Sequence, residues 1–306
     1  MHSYFRNYDL SGKTIPHELE IDKQTFRVDK QTDAALAFIK KNHDNPFFLH
    51  LSYYAPHTPI EYVEEHFTRF PGKMAERRRW ALASIAAIDD GVGAIMKSLR
   101  TYDLEEKTLI FFLSDNGAPL KMTMEDSPFD SDHGGWDGSL NTPMIGEKGM
   151  LSEAGIHVPF LAYWRGTIAP QVFPKPVLSL DIGATALALA GIQTEPNEID
   201  GVNLMPFLKG NNLTAPHDAL YWRFWGQSAI REGRWKLLSL ENGHRMLFDL
   251  NTTEQENLNL ITEYPELADR LQKKLDAWLK QQKRPDMPTK YGREHPWYRH
   301  YFNVQL

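Results

Sequence analysis

Three short apolar runs punctuate the first two-thirds of the chain. PFFLHLSYY (residues 46–54), TLIFFLS (108–114) and VPFLAYW (158–164) have the length and the β-branched or aromatic content of buried strands. Helical patterns lie between them. DAALAFIKK (33–41) has helical spacing, with Thr32 placed to cap it. Residues 74–99 carry Leu82, Ile85, Ile88, Val92 and Ile95 at core-facing spacing, and SLDIGATALALAGI (179–192) stops at a glycine. Apolar strands alternating with helices predict an α/β domain built on a doubly wound, mostly parallel sheet.

Near residue 216 the texture changes. ALYWRFW, SAIRE, WKLLSL and MLFDL are short strand candidates divided by the glycine-containing turns REGR and ENGH. A helix follows, with Leu267, Leu271, Leu275, Trp278 and Leu279 on one stripe. The expected organisation is an α/β domain over 1–215, then a subdomain over 216–306 made of a small antiparallel sheet and an amphipathic helix. The Pro- and aromatic-rich tail after it is expected to wrap over the surface.

Composition narrows the function classes. The 306 residues are enough for one large domain or a large one plus a small one. A net charge of -6, without a basic run, argues against a nucleic-acid partner. The longest apolar runs are too short to span a bilayer, and the N-terminus lacks a signal-peptide pattern, so the chain as given is expected to be cytoplasmic. There is no cysteine, which excludes disulfides, thiolate metal sites and a cysteine nucleophile.

Several motifs compete for the chemistry. SGKT (11–14) lacks the earlier glycine of a phosphate loop, since Asn7 stands there, and GVGAIM (91–96) lacks the third glycine of a dinucleotide fingerprint. DSPFDSDHGG (126–135) resembles a calcium loop, but Gly134 stands where an oxygen ligand is needed. SDNG (114–117) ends the second apolar run. Asp115 and Asn116 offer oxygens to a hard cation, and the same residues also suit an ordinary Asx turn. APHTP (55–59) frames His57 with prolines, as suits a proton-donating imidazole, although a loop histidine is also common decoration. Lys148 stands between two glycines, placed either to hold an oxyanion as a point charge or simply to face solvent.

In order and spacing, HSYF, NPFFLHLSYYAPHTPIE, TLIFFLSDNGAP, WDGSLNTPMIGEKGMLSEAGIHVPFLAYW and SLDIGATALALAGI resemble the sulfatase family, the formylglycine-dependent sulfuric ester hydrolases of the alkaline phosphatase superfamily. ALYWRFWGQSAIREGRWKLL also looks like this family. The resemblance implies an alkaline-phosphatase-like sheet and hydrolysis of sulfate esters, aryl or carbohydrate. It implies Asp115 and Asn116 as ligands of Ca²⁺ (or Mg²⁺), His57 as the contact to sulfate or leaving oxygen, and Lys148 as the sulfate-binding cation.

The chain also departs from the family pattern. Ala154 and His157 stand where glycine and arginine are usual. The paired aspartates, the Cys-x-Pro-Ser-Arg type motif that yields formylglycine and the K-x-x-H type segment are not found. The expectation is therefore an N-terminally truncated sulfatase fold, with formylglycine ruled out, weak or no metal binding, and no turnover by this chain alone. Three alternatives follow: a non-catalytic remnant, a binder of sulfated ligands, or one half of a split enzyme. The partners expected are a sulfated small molecule or glycan, and a second copy or the missing segment at an exposed sheet edge. A full-length family member is expected in the periplasm or outside the cell.

Overall fold

Hydrophobic alternation is clearest where strands are short and turns frequent, and there the computed structural model follows it most closely. The structure describes residues 7–8, 14–15, 26–57, 60, 63–120, 138–195, 198–253, 255–283 and 295–304. In chain order the elements are β1 (Asn7–Tyr8), β2 (Thr14–Ile15), α1 (Arg27–Asn42), α2 (Glu64–Phe67), α3 (Glu76–Thr101), β3 (Ile110–Leu113), α4 (Glu153–Ile156), β4 (Phe160–Tyr163), α5 (Leu180–Leu189), α6 (Met205–Leu208), β5 (Leu220–Phe224), β6 (Gln227–Glu232), β7 (Trp235–Leu240), β8 (Arg245–Asp249), α7 (Pro265–Gln281) and α8 (His295–Phe302). The chain divides into two compact units: Met1–Lys73 with Arg79–Leu99, and Met74–Arg78 with Arg100–Leu306.

In the first unit α1 begins earlier than its apolar spacing predicts. Thr32 does not cap it but lies inside, where its hydroxyl donates to Val28 O (3.0 Å) and meets Tyr53 Oη at 2.9 Å. A threonine can bond the carbonyl one turn back, so tertiary contact with Tyr53 overrides its capping preference. Helix α3 corrects the expected stripe as well. Its buried positions are Ala81, Ala83, Ser84, Ala87, Ile88, Gly91 and Leu99, while Ile85 is 43% exposed. Small side chains win this face because the neighbours come very close. A Cβ on Gly91 would overlap Thr32 and lie 2.7 Å from Tyr53 Oη.

Residues 46–54, expected as a strand, have no ladder partner among the described residues. The buried side chain of Gln31 takes the partner's place. Its Nε2 donates to Ser52 O (2.6 Å), and its Oε1 accepts from Tyr54 N–H (3.2 Å).

In the second unit β3 and β4 pair with Phe112 opposite Leu161. The mixed α/β class with a small C-terminal antiparallel sheet is present as expected, and every strand pair among the described residues is antiparallel. Continuous apolar runs report burial on both faces and carry no information on strand direction.

The sheet β5-β6-β7-β8 is a meander whose turns place Gly233 (φ +58°) and Gly243 (φ +84°) in the left-handed region. One face buries Ile230, Leu237 and Leu247 against Ala268, Leu271 and Leu275 of α7. The other buries Ala229, Leu238, Met246 and Phe248 against Met150, Leu151, Trp297 and Tyr298. The described end of the tail, residues 295–304, is therefore not a surface wrap. A sheet that is apolar on both faces needs a second cover, and α8 supplies it with Tyr298 at 0% exposure. Among the described residues no helix is long and apolar enough to cross a membrane.

Tyr298→Ala is expected to lower unfolding free energy by about 3–5 kcal/mol in urea titrations, as for other large-to-small core changes. Tyr298→Phe, which removes only the hydroxyl bonded to Gln227 Oε1 (2.5 Å), should cost about 1–2 kcal/mol.

Candidate functional site

Strand β3 runs out at Leu113, and its backbone turns sharply through SDNG. Ser114 N–H still donates to Pro159 O (3.3 Å), while Ser114 Oγ donates to Asn116 O (2.9 Å). Asn116 Nδ2 donates to Gly117 O (2.9 Å), leaving Oδ1 as the acceptor end of the amide, and Asp115 is exposed. Gly117 is required by close approach. Its N–H donates to Gly155 O (3.1 Å), and a Cβ there would overlap Ala154 O at helix α4.

The loop carrying Lys148 is also tied to this turn at Ala118. Lys148 N–H donates to Ala118 O (3.0 Å). The buried Asn141 accepts from Ala118 N–H (2.7 Å) and donates to both Ala118 O and Gly146 O (3.0 Å each). Gly146 (φ +101°) and Gly149 (φ +97°) bracket Lys148, as the left-handed backbone there requires. On the far side Gln227, 1% exposed, donates to Gly149 O (2.7 Å) and accepts from Leu151 N–H (2.9 Å). The structure therefore brings Asp115, Asn116 and Lys148 together through backbone contacts.

Beneath the same segment lies a buried ionic cluster. Lys236 Nζ, at 0% exposure, meets Glu153 Oε1 at 2.8 Å and Glu256 Oε1 at 2.9 Å. Glu153 N–H donates to Glu256 Oε2 (2.6 Å), and His157 Nδ1 lies 2.9 Å from Glu153 Oε2. Burial opposes ionisation of Glu153, but Lys236, His157 and Arg231 outweigh it and hold this carboxyl far below its ordinary range. Glu256 shifts the other way. Burial raises it, Lys236 offsets part of the rise, and the charge of Glu153 adds to it. Against burial, the two carboxylates together hold Lys236 above its ordinary value.

His57 belongs to the first unit. It follows the cis peptide bond Ala55–Pro56, its N–H donates to Tyr54 O (3.1 Å), and its ring lies 5.3 Å from that of Tyr54. The guanidinium of Arg27 stands 4.0 Å from the Tyr54 ring centre. His57, Arg27, Tyr54 and Ser84 line one shallow pocket.

HSYF, SGKT up to Lys13, the loop 126–135 and the residues Thr58 and Pro59 lie outside the described residues. Among the described residues no group of three or more His, Asp or Glu side chains converges as a metal site. Ca²⁺ takes 6–8 oxygens, so Asp115 and Asn116 fit as hard donors but make only part of such a shell. Sequence reading missed Asn141, Gln227 and the Glu153–Lys236–Glu256 cluster. Asn141 lay inside a Gly- and Pro-rich stretch that reads as loop, and Lys236 interrupts an apolar run where a lysine ordinarily marks the solvent side.

A family model described as Sulfatase matches residues 7–192, and one described as N-sulphoglucosamine sulphohydrolase, C-terminal, matches residues 145–284. The chain is 32% identical over 277 residues to arylsulfatase A of Bos taurus, covering 82% of this chain and 50% of that protein. It is 35% identical over 220 residues to human N-acetylgalactosamine-6-sulfatase, covering 69% and 38%. The solved structure of Ps i-CgsB superposes with a TM-score of 0.77 at 28% identity, covering 93% of this chain and 61% of that one. The same protein is known in complex with k-i-k-neocarrahexaose. This chain thus spans about half the length, or less, of these curated relatives.

The ionic cluster generates a pH-dependent prediction. The folded pKa of Glu153 is depressed, so its stabilisation is present above the unfolded value, about 4.3, and is lost as pH falls toward the folded value. Glu153→Gln should therefore destabilise the protein at pH 7 by about 3–5 kcal/mol. The gap between wild type and variant should narrow as pH is lowered below about 4, as read from urea midpoints.

Proposed function

The chain belongs to the sulfatase family, and on that premise we propose that it forms the sulfate-holding side of a sulfate-ester hydrolase. The observation that carries this reading is the joint at Ala118, where one carbonyl takes hydrogen bonds from the Lys148 backbone and from Asn141. That joint holds the backbones of the SDNG turn and the lysine loop side by side, so that a cation-binding pair and a lysine on neighbouring segments can serve one anionic group.

Lys148 holds the sulfuryl oxygens as a point charge. His57 donates a proton to, or stabilises, the leaving oxygen, which departs as an alkoxide or phenoxide. Asp115 and Asn116 provide two oxygens to a divalent cation, Ca²⁺ or Mg²⁺, which when bound neutralises sulfate charge. The ligand is a sulfate ester of an aryl or carbohydrate group. The complex of Ps i-CgsB with a carbohydrate and the sugar sulfatase among the relatives support the carbohydrate class.

The absence of cysteine favours a second reading for these 306 residues by themselves. Formylglycine from cysteine cannot form in them, so alone they bind sulfated ligands without turning them over. The nucleophile of a working site is then contributed by other residues.

Calorimetric titration of the chain with inorganic sulfate should show binding that Lys148→Ala weakens about tenfold or more, the size of one lost charge-assisted contact. An unchanged affinity would sink the assignment of Lys148. Incubated with a nitrophenyl sulfate, the pure chain is expected to release no phenol beyond the uncatalysed rate, and multiple turnovers would overturn the second reading.

A further inference from the structure

The backbone around Lys148 is gripped from two directions. Its own N–H donates to Ala118 O (3.0 Å), and the carbonyl of the next residue, Gly149, accepts from Gln227 Nε2 (2.7 Å). Only the φ and ψ angles of Lys148 and Gly149 lie between these bonds, because the peptide unit joining them is planar. Those angles also set the direction in which the lysine side chain leaves the chain. The first bond comes from the SDNG turn. The second comes from β6, and helix α8 governs it.

Tyr298 donates its buried hydroxyl to Gln227 Oε1 (2.5 Å), the same oxygen that accepts from Leu151 N–H (2.9 Å). A donor on the oxygen of an amide polarises the group and makes its N–H a better donor. The hydroxyl of Tyr298 thereby strengthens the bond from Gln227 Nε2 to Gly149 O. The preceding residue acts on Gly149 directly. A Cβ on this glycine would lie 2.7 Å from Trp297 Cη2, so the indole closes the space into which the Gly149 backbone would otherwise swing. That indole is itself fixed, buried and stacked on Trp225 with ring planes 4° apart. One turn on, Tyr301 answers to the residue before the lysine: burial and the charge of Glu147 hold its hydroxyl above its ordinary value. Residues 147, 149 and 151 thus all feel α8. The residues matched by the two family models, 7–192 and 145–284, end before this helix begins at His295. A helix that only covered the meander would need apolar side chains alone. Here a hydroxyl and an amide are buried instead, which costs stability unless their hydrogen bonds are made, and the bonds they make lead to the lysine loop.

We infer that Tyr298, acting through Gln227, is a positioning residue for Lys148, so that α8 serves sulfate binding as well as covering the sheet. The role rests on the proposed function, in which Lys148 holds the sulfate. Tyr298 and Gln227 act without touching the ligand. They narrow the range of backbone from which the ammonium is presented, and displacement of a positioned group by about 1 Å can cost about a hundredfold.

The test compares three variants of the full 306-residue chain by calorimetric affinity for inorganic sulfate and by amide hydrogen exchange at Leu151. Tyr298→Phe keeps the ring and its packing and removes only the hydroxyl; it should weaken sulfate binding about threefold. Gln227→Leu removes the whole relay and should weaken it about tenfold. Both should speed exchange of the Leu151 N–H, whose acceptor is Gln227 Oε1. The control is Leu271→Ala, which opens the opposite face of the sheet against α7. It should lower the urea midpoint and leave sulfate affinity unchanged. The positioning role is overturned if Tyr298→Phe and Gln227→Leu bind sulfate like wild type, whatever exchange shows. It is equally overturned if Leu271→Ala weakens sulfate to the same degree, since general loss of stability would then explain the effect. Should Gln227→Leu fail to fold, Tyr298→Phe against Leu271→Ala decides alone. If wild type binds no sulfate, or Lys148→Ala binds it equally well, the proposed function falls instead, and exchange at Leu151 still reports whether α8 holds the loop.

Discussion

A primary amide carries a donor nitrogen beside an acceptor oxygen, and with them it can match the N–H and C=O that a peptide group presents across a β-ladder. This structure depends on that equivalence at three buried positions. Gln31 spans Ser52 and Tyr54, Asn141 spans Ala118 and Gly146, and Gln227 spans Gly149 and Leu151. Gln31 and Gln227 reach their segments by side chain, and Asn141 reinforces the backbone bond from Lys148 N–H to Ala118 O. Leaving such groups unpaired in the interior costs more than an ordinary hydrogen bond is worth, so each amide constrains its segment strongly. All three segments lead directly to a candidate site residue: His57, the Asp115–Asn116 turn, or Lys148.

This explains why the sequence disclosed some parts of the fold and hid others. The strands β5 to β8 and helix α7 were legible because their apolar positions follow simple periods and their turns carry glycine. The stretch 46–54 has the composition of a strand, but its partner is a side chain on α1, which no period can announce. Helix α8 was hidden for a different reason. Proline and aromatic residues read as a surface tail, yet Trp297 and Tyr298 fill the face of the meander opposite α7. The candidate residues Asp115, Asn116, His57 and Lys148 were visible as motifs, whereas their supports, Asn141 and Gln227, lie in unremarkable sequence.

Glycine has a matching role in the same region. At Gly117, Gly149 and Gly155 an added Cβ would press into Ala154 O, the Trp297 ring and Met150 O respectively. These glycines let the SDNG turn, helix α4 and the lysine loop approach at backbone distance, and the amides then hold what the glycines permit. Ala154, where the family pattern has glycine, is tolerated because only its backbone enters these contacts: its N–H donates to Ile145 O (3.2 Å). The departure at His157 is absorbed similarly, by its pairing with Glu153.

The ionic cluster sets the limit on how freely this segment can change. Glu153 is the first residue of α4 and is held by Lys236 from β7 and by the side chain of Glu256. A buried lysine between two carboxylates is costly to assemble, and hydrophobic residues of similar volume often stabilise a fold equally well. What a packed apolar contact lacks is direction. A lysine facing two carboxylates fixes the rotation of α4 about its own axis, and with it the position of Gly155 O, which receives the Gly117 N–H of the SDNG turn. The charge cluster, the glycine approach and the buried amides thus act on one short stretch, 141–157. The geometry of Lys148 relative to Asp115 and Asn116 follows from those contacts, not from the sheet that β3 ends.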